Sequence, residues 1–154
     1  MAELYIDSSG LVKRHAQEAG TPWVQTITAA ATGNTILTSR ITVVEVTSAF
    51  QRKQREGALT LDEATQLASD FLALCTSEYT LVEVSIDLLD QARMLVERHP
   101  LRAYDAVQLA SALVANAALQ AAELGPLTFV ASDCQLLTAA QAEGLAVDSP
   151  YLHL

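Results

Sequence analysis

Short apolar runs alternate with longer helix-forming stretches along the whole chain, and this alternation admits few folds. Leu4-Tyr5-Ile6, Thr35 to Thr38, Tyr79 to Val84 and Leu127 to Ala131 have the length and composition of strands, and Leu145-Ala146-Val147 can add a short edge strand. Helices fill the intervals. Asp7-Ser8-Ser9 supplies capping groups before a helix that ends near Gly20; Thr21-Pro22 opens a second that stops at Gly33-Asn34. Ser39 caps a helix from about Arg40 to Glu56, and Thr60-Leu61-Asp62-Glu63 has capping-box spacing for the next, which runs to about Cys75. Ile86 to Arg98, Ala103 to Leu124 and Asp133 to Glu143 complete the set. Strands separated by helices pair in parallel and are covered on both faces. The expected fold is a three-layer α/β/α domain with a central parallel sheet, residues 1–154 forming one domain.

With 154 residues, 51% of them hydrophobic, the chain can bury a core without a disulfide or a structural metal. Cys75 and Cys134 lack metal-ligand spacing and are expected to be free thiols. The N-terminal residues lack the apolar stretch of a signal peptide, and the most apolar run, Leu109 to Ala122, falls short of the roughly 20 residues a bilayer span needs. A cytoplasmic protein with no membrane partner is expected. Nine Lys and Arg stand against 18 Asp and Glu, a net charge of −9, and every Lys and Arg lies between Lys13 and Arg102. A broad basic nucleic-acid face is thereby excluded. Phosphate binding through a divalent cation held by carboxylates is not.

Four acids stand out. In open α/β sheets, ligands bind beyond the carboxyl ends of the strands. Asp7 follows the first strand and Asp133 follows the strand ending at Ala131, so both are expected at one sheet edge. Helix capping is the alternative reading for each. Glu45 lies between Ile41 and Ala49 on a helix, with Val43, Val44 and Val46 around it, and an acid on an apolar surface requires a partner. Asp105 falls in the first turn of the long helix, on one stripe with Leu109, Ala112 and Leu113; first-turn acids also serve the helix dipole. If the four gather, each pair at about 4 Å repels by roughly 4 kcal/mol at an effective dielectric of 20, and a bound cation is the natural compensation. Oxygen ligands favour Mg²⁺ or Mn²⁺, ions that bind phosphate.

The runs YIDSSGLVKRH, TSRITVVEVTSAFQRKQREG, LRAYDAVQLASAL and TFVASDCQLLTAAQAEGLAV resemble, in order and over nearly the whole chain, the four acidic motifs of PIN-domain ribonucleases. Within that family the chain is most similar to the VapC-like toxins of type II toxin–antitoxin systems. Asp7, Glu45, Asp105 and Asp133 match the acidic quartet, with Ser8 and Ser132 as supporting hydroxyls. Gly10 departs from the small apolar residue commoner at its position. The resemblance implies a Mg²⁺- or Mn²⁺-dependent endoribonuclease, with Asp7, Glu45 and Asp105 as ligands and Asp133 as a further ligand or water-positioning group. It also implies a homodimer and a small antitoxin partner.

For the RNA substrate, Arg102, three residues before Asp105, is the first candidate contact, followed by Lys13 and Arg14. Arg52, Lys53 and Arg55 read more simply as a solvated helix end. His15, His99 and His153 are isolated, and Trp23, Phe50 and Phe71 suit core or partner-helix contacts. A catalytically silent PIN-fold binding scaffold is the main alternative, although no acid is missing. A receiver-type phosphoacceptor or a haloacid-dehalogenase-like phosphatase fits poorly, since no Lys follows Lys53 and Ser9 stands two residues after Asp7.

Overall fold

The computed structural model describes residues 1–154. Five strands, β1 (Glu3–Ile6), β2 (Thr35–Ser39), β3 (Tyr79–Val82), β4 (Leu127–Val130) and β5 (Ala146–Asp148), form one sheet in the order β3-β2-β1-β4-β5. Every neighbouring pair is parallel. Seven helices connect them: α1 (Ser8–His15), α2 (Thr21–Thr28), α3 (Thr42–Arg55), α4 (Leu61–Ser77), α5 (Ile86–Arg98), α6 (Ala103–Ala121) and α7 (Cys134–Ala142). The three-layer α/β/α arrangement read from the sequence is the one observed, the strand at residues 146–148 included.

Alternation along the strands separates two cores. Tyr5, Leu37 and Phe129 point to the face covered by α5, α6 and α7, where Leu88, Leu95, Leu109 and Leu136 are buried. Leu4, Ile6 and Ile36 point to the opposite face, against α1, α3 and α4, with Leu11, Phe50 and Phe71. Phe50 and Phe71 are thus core residues, while Trp23 is half-buried and stacks on His153 at 4.2 Å between ring centroids.

Several boundaries differ from expectation. α3 begins at Thr42 rather than Arg40, because the Arg40 amide donates to the Val82 carbonyl (2.9 Å) and prolongs the β2–β3 ladder, leaving Ser39 Oγ to accept from the Ile41 amide (3.3 Å). β3 stops at Val82, two residues early, and α4 runs on to Ser77. α1 ends at His15, since Ala16 is extended, and Gly20, at φ 89°, instead precedes α2. α6 ends at Ala121 because Glu123 adopts a left-handed φ of 58°. Cys75 is half-buried and Cys134 exposed, both free. No helix is long and apolar enough to cross a membrane.

The glycine in α1 has a steric reason. A Cβ at Gly10 would stand 2.5 Å from Ile6 Cγ2, on a fully buried strand residue. Overpacking at Gly10→Ala costs about 1–3 kcal/mol and helix propensity returns roughly 1 kcal/mol, so the substitution is expected to destabilise the protein by up to about 2 kcal/mol. Urea denaturation tests this; an unchanged or higher midpoint would mean that Ile6 moves aside at little cost.

Candidate active site

The carboxyl ends of β1, β2 and β4 converge at the centre of the sheet, where the switch in chain direction opens a cleft. Asp7 leaves β1 there, 3% exposed. Its Oδ1 accepts from the Gly10 amide (3.0 Å) and from Ser9 Oγ (2.6 Å), which makes it the N-cap of α1. Capping uses that single oxygen; Oδ2 makes no hydrogen bond within the protein. The structural and functional readings of Asp7 are therefore compatible. Asp133 caps α7 in the same manner, Oδ1 accepting from the Leu136 amide (2.9 Å), but it is exposed.

Glu45 sits on the first turn of α3, half-buried. The partner its apolar setting demands is Gln108, a fully buried side chain of α6, whose Nε2 donates to Glu45 Oε1 (2.7 Å) and to Thr42 Oγ1 (2.9 Å). Gln108 Oε1 accepts from the Tyr5 hydroxyl (2.7 Å), and Thr42 continues through Thr38 Oγ1 (2.8 Å) to the Ile6 carbonyl (2.7 Å). One satisfied polar chain thus ties Glu45 to β1, β2 and α6. Gln108 was not anticipated, although a glutamine one turn beyond Asp105, among alanines and leucines, was a visible irregularity.

Asp105 is half-buried on the first turn of α6. Ser132 closes the group: its amide donates to Ser9 Oγ (3.2 Å), and its own Oγ is the one buried side-chain oxygen or nitrogen in the protein without a partner. Ser8 and Ser132 both line the cleft beside Glu45.

Electrostatics join the acids. Burial, with Asp105 and Glu45 nearby, pushes the Asp7 carboxyl up to about 7. Burial and Asp105 raise Glu45, and burial and Asp133 raise Asp105, which Arg102 partly offsets. Asp7, Glu45 and Asp105 therefore feel one another, and Asp133 reaches the set through Asp105. No three of them close into a ready-made metal cage, each being held by its local partners or facing solvent. Their all-oxygen chemistry and unrelieved mutual repulsion nevertheless fit a hard divalent cation, which needs only one or two carboxylates and otherwise keeps its waters.

The other candidates lie as follows. Arg102 is exposed beside Asp105 and forms no ion pair. Lys13 is 4% exposed and engaged by Glu18 Oε2 at 2.8 Å, so it is a structural cation that lines the cleft without being free. Arg14 is bound to Glu78 (3.1 Å) and the Tyr79 hydroxyl (2.9 Å), outside the cleft. Of the expected solvated helix end, Arg52 and Arg55 are exposed while Lys53 is bound to Glu18 (2.7 Å), and Arg52 also lines the cleft. The histidines are occupied elsewhere: His15 against Phe50 and Phe71, His99 with Glu143, His153 with Asp148 and Trp23.

The PIN domain family model matches residues 4–123, and the chain belongs to that family. The match spans Asp7, Glu45 and Asp105 and ends before Asp133. No curated protein matches the sequence. Among solved structures, the fold is similar to PAE2754 from Pyrobaculum aerophilum (TM-score 0.63, 19% identity, covering 99% of this chain and 86% of that one). VapBC2 from Rickettsia felis, solved bound to a DNA fragment from its promoter, is likewise similar (0.63, 14%, 96% and 98%). So is VapC20 from Mycobacterium tuberculosis, a sarcin-ricin loop cleaving toxin (0.61, 17%, 93% and 96%).

A raised Asp7 has a consequence for stability. Between pH 4 and about 7 the metal-free folded protein retains a proton that the unfolded chain has lost, so its stability falls as pH rises through that window, by about 4 kcal/mol. Glu45 and Asp105 act with the same sign. Urea melts in EDTA across this range should show the decline, and Asp7→Asn should flatten it. A slope identical in the variant would remove Asp7 as its origin.

Proposed function

We propose that this protein is a Mg²⁺- or Mn²⁺-dependent endoribonuclease that hydrolyses RNA phosphodiester bonds. The observation that supports this most is the gathering of Asp7, Glu45 and Asp105, buried or half-buried and mutually repelling, at the carboxyl edge of a PIN-family sheet. In this reading Asp7, Glu45 and Asp105 hold the ion, and Asp133 is an additional ligand or positions water. Such an ion lowers the pKa of water and offsets charge developing on the phosphate. The protein's own part is positioning. Gln108, itself anchored on Thr42, fixes the rotamer of Glu45, while Ser9 and the Gly10 amide occupy Asp7 Oδ1 and leave Oδ2 without a protein partner. Ser8 and Ser132 offer hydroxyls at the cleft wall.

The likeness to VapC20 and to the VapBC2 complex supports a toxin paired with a small antitoxin. A cytoplasmic homodimer, each copy one PIN-like domain over residues 1–154, completes the proposal.

Purified protein incubated with structured and single-stranded RNA should cut in Mn²⁺ or Mg²⁺ and not in EDTA. Asp7→Asn and Glu45→Gln should each lower the rate by more than about a hundredfold, the upper range for the polar groups that support ligands. Identical rates in wild type and variants would mark the activity as contamination. If wild type neither cuts RNA nor gains thermal stability from Mn²⁺, the protein is a catalytically silent scaffold. Gln108→Leu, a positioning change, should cost about 10–100-fold in activity or metal affinity. It should also raise the Mn²⁺ concentration needed for half-maximal rate, which a merely structural role would leave unmoved.

A further inference from the structure

The cleft extends well beyond the acids. Its volume is about 530 Å³, and its walls include Ser8, Glu45, Arg52, Tyr104, Ser132 and Tyr151. Two of these are large exposed aromatics: Tyr104, 64% exposed, adjoins Asp105, and Tyr151, 49% exposed, comes from the C-terminal turn Pro150–Leu152. One face of Tyr151 is occupied by Lys13 Nζ, 4.8 Å from the ring centroid.

Cations are scarce in this acidic chain, and most are already used. Six of the nine basic residues are in ion pairs, leaving Arg52, Arg55 and Arg102. Of these only Arg52 lines the cleft. It shares a stripe of α3 with Glu45 and lies seven residues on, about 10 Å along the axis. Lys53, its neighbour, is bound to Glu18 (2.7 Å), as is Lys13, so the cleft floor beside Arg52 is a closed charge network. A free guanidinium and two accessible rings around a reactive edge are the elements of a site for unpaired nucleic acid, whose phosphates pair with the cation and whose bases stack on the rings. A duplex hides its base faces and could not use the tyrosines.

We propose that this cleft seats an unpaired RNA strand along α3, with Arg52 holding a phosphate away from the scissile one and Tyr104 and Tyr151 each stacking a base. The assignment rests on the endoribonuclease reading and adds to it the strand's path and the residues that grip it. Arg52 and the two tyrosines are positioning residues.

The test is fluorescence anisotropy of a short labelled single-stranded RNA, and of its duplex, with the full-length protein in EDTA over a series of salt concentrations. Arg52→Ala should weaken single-strand binding and lower the salt slope by about 0.7, the value of one single-strand phosphate contact. Tyr104→Ala and Tyr151→Ala should each weaken it roughly tenfold, with Tyr104→Phe near wild type and duplex binding unmoved. Arg55→Ala, an unpaired cation outside the cleft, is the control. If wild type binds the strand and all these variants match Arg55→Ala, the proposal is overturned while RNA cleavage in Mn²⁺ can still stand; a protein segment would then be the better occupant of the cleft. If wild type neither binds nor cuts RNA, the endoribonuclease reading fails and takes this assignment with it.

Discussion

A parallel sheet that brings acids to one edge must hold them there without any counter-charge of comparable size, and the buried amide of Gln108 is the main device by which this protein does so. Its two ends do different work. The carbonyl end accepts from Tyr5 within the α5–α7 core, and the amide end donates to Thr42 and Glu45. A hydrogen bond to a charged acceptor is worth more than a neutral one, and leaving either end of a buried amide unpaired would cost about 1–3 kcal/mol. The acidic edge and the tethering of α6 to β1 and α3 are for that reason one structural problem with one solution. Burial first, and the neighbouring acids after it, keep the carboxyls of Glu45 and Asp7 raised in spite of these hydrogen bonds.

The same economy governs the cations. In a chain of net charge −9, Lys13 and Lys53 are committed to Glu18, Arg14 to Glu78, and Arg98 to Glu143. These pairs tie α1 to α3 and α4, and α5 to the end of α7. Lys13 is the clearest instance: an almost fully buried ammonium survives only because Glu18 and the Tyr151 hydroxyl satisfy it. What remains for a ligand is a small number of unpaired arginines, and their positions define which surfaces can meet phosphate at all.

Fold class and strand identity were legible because they rest on local signals: apolar period, caps and glycine stops. Asp7 and Asp133 were legible as strand-end residues, and both proved to be genuine N-caps as well, so local chemistry alone could not separate capping from site chemistry. Gln108 and Arg52 illustrate the part that was not legible. A glutamine in an alanine-rich helix reads as neutral until its neighbours across 103, 66 and 63 residues of sequence are known. Arg52 and Lys53 are adjacent and chemically alike in the sequence, yet one is free and the other bound, because α3 turns only Lys53 toward Glu18. Ion pairing across elements is a tertiary fact. The early end of α1 and the late start of α3 have the same origin, since the backbone there is taken by extended pairing and by the turn into α2 that no local propensity announces.

Rotation of α6 connects these threads. Asp105 and Gln108 lie one turn apart, and the helix is turned so that Gln108 is fully buried while Asp105 is half-buried and Tyr104 stands in solvent. A rotation of one residue, about 100°, would carry the amide out of the Tyr5–Thr42–Glu45 chain and turn Asp105 away from Asp7. Ala106, Leu109, Ala110 and Ala112, all without accessible surface, hold the rotation by close packing against the sheet. The small size of the alanines lets α6 approach closely enough for a glutamine side chain to span from one layer to the other. The alanine-rich character of this helix is therefore part of the site: bulkier residues would preserve an apolar face while lifting Gln108 off its partners, and Glu45 would lose the single hydrogen bond donor that reaches it from the core.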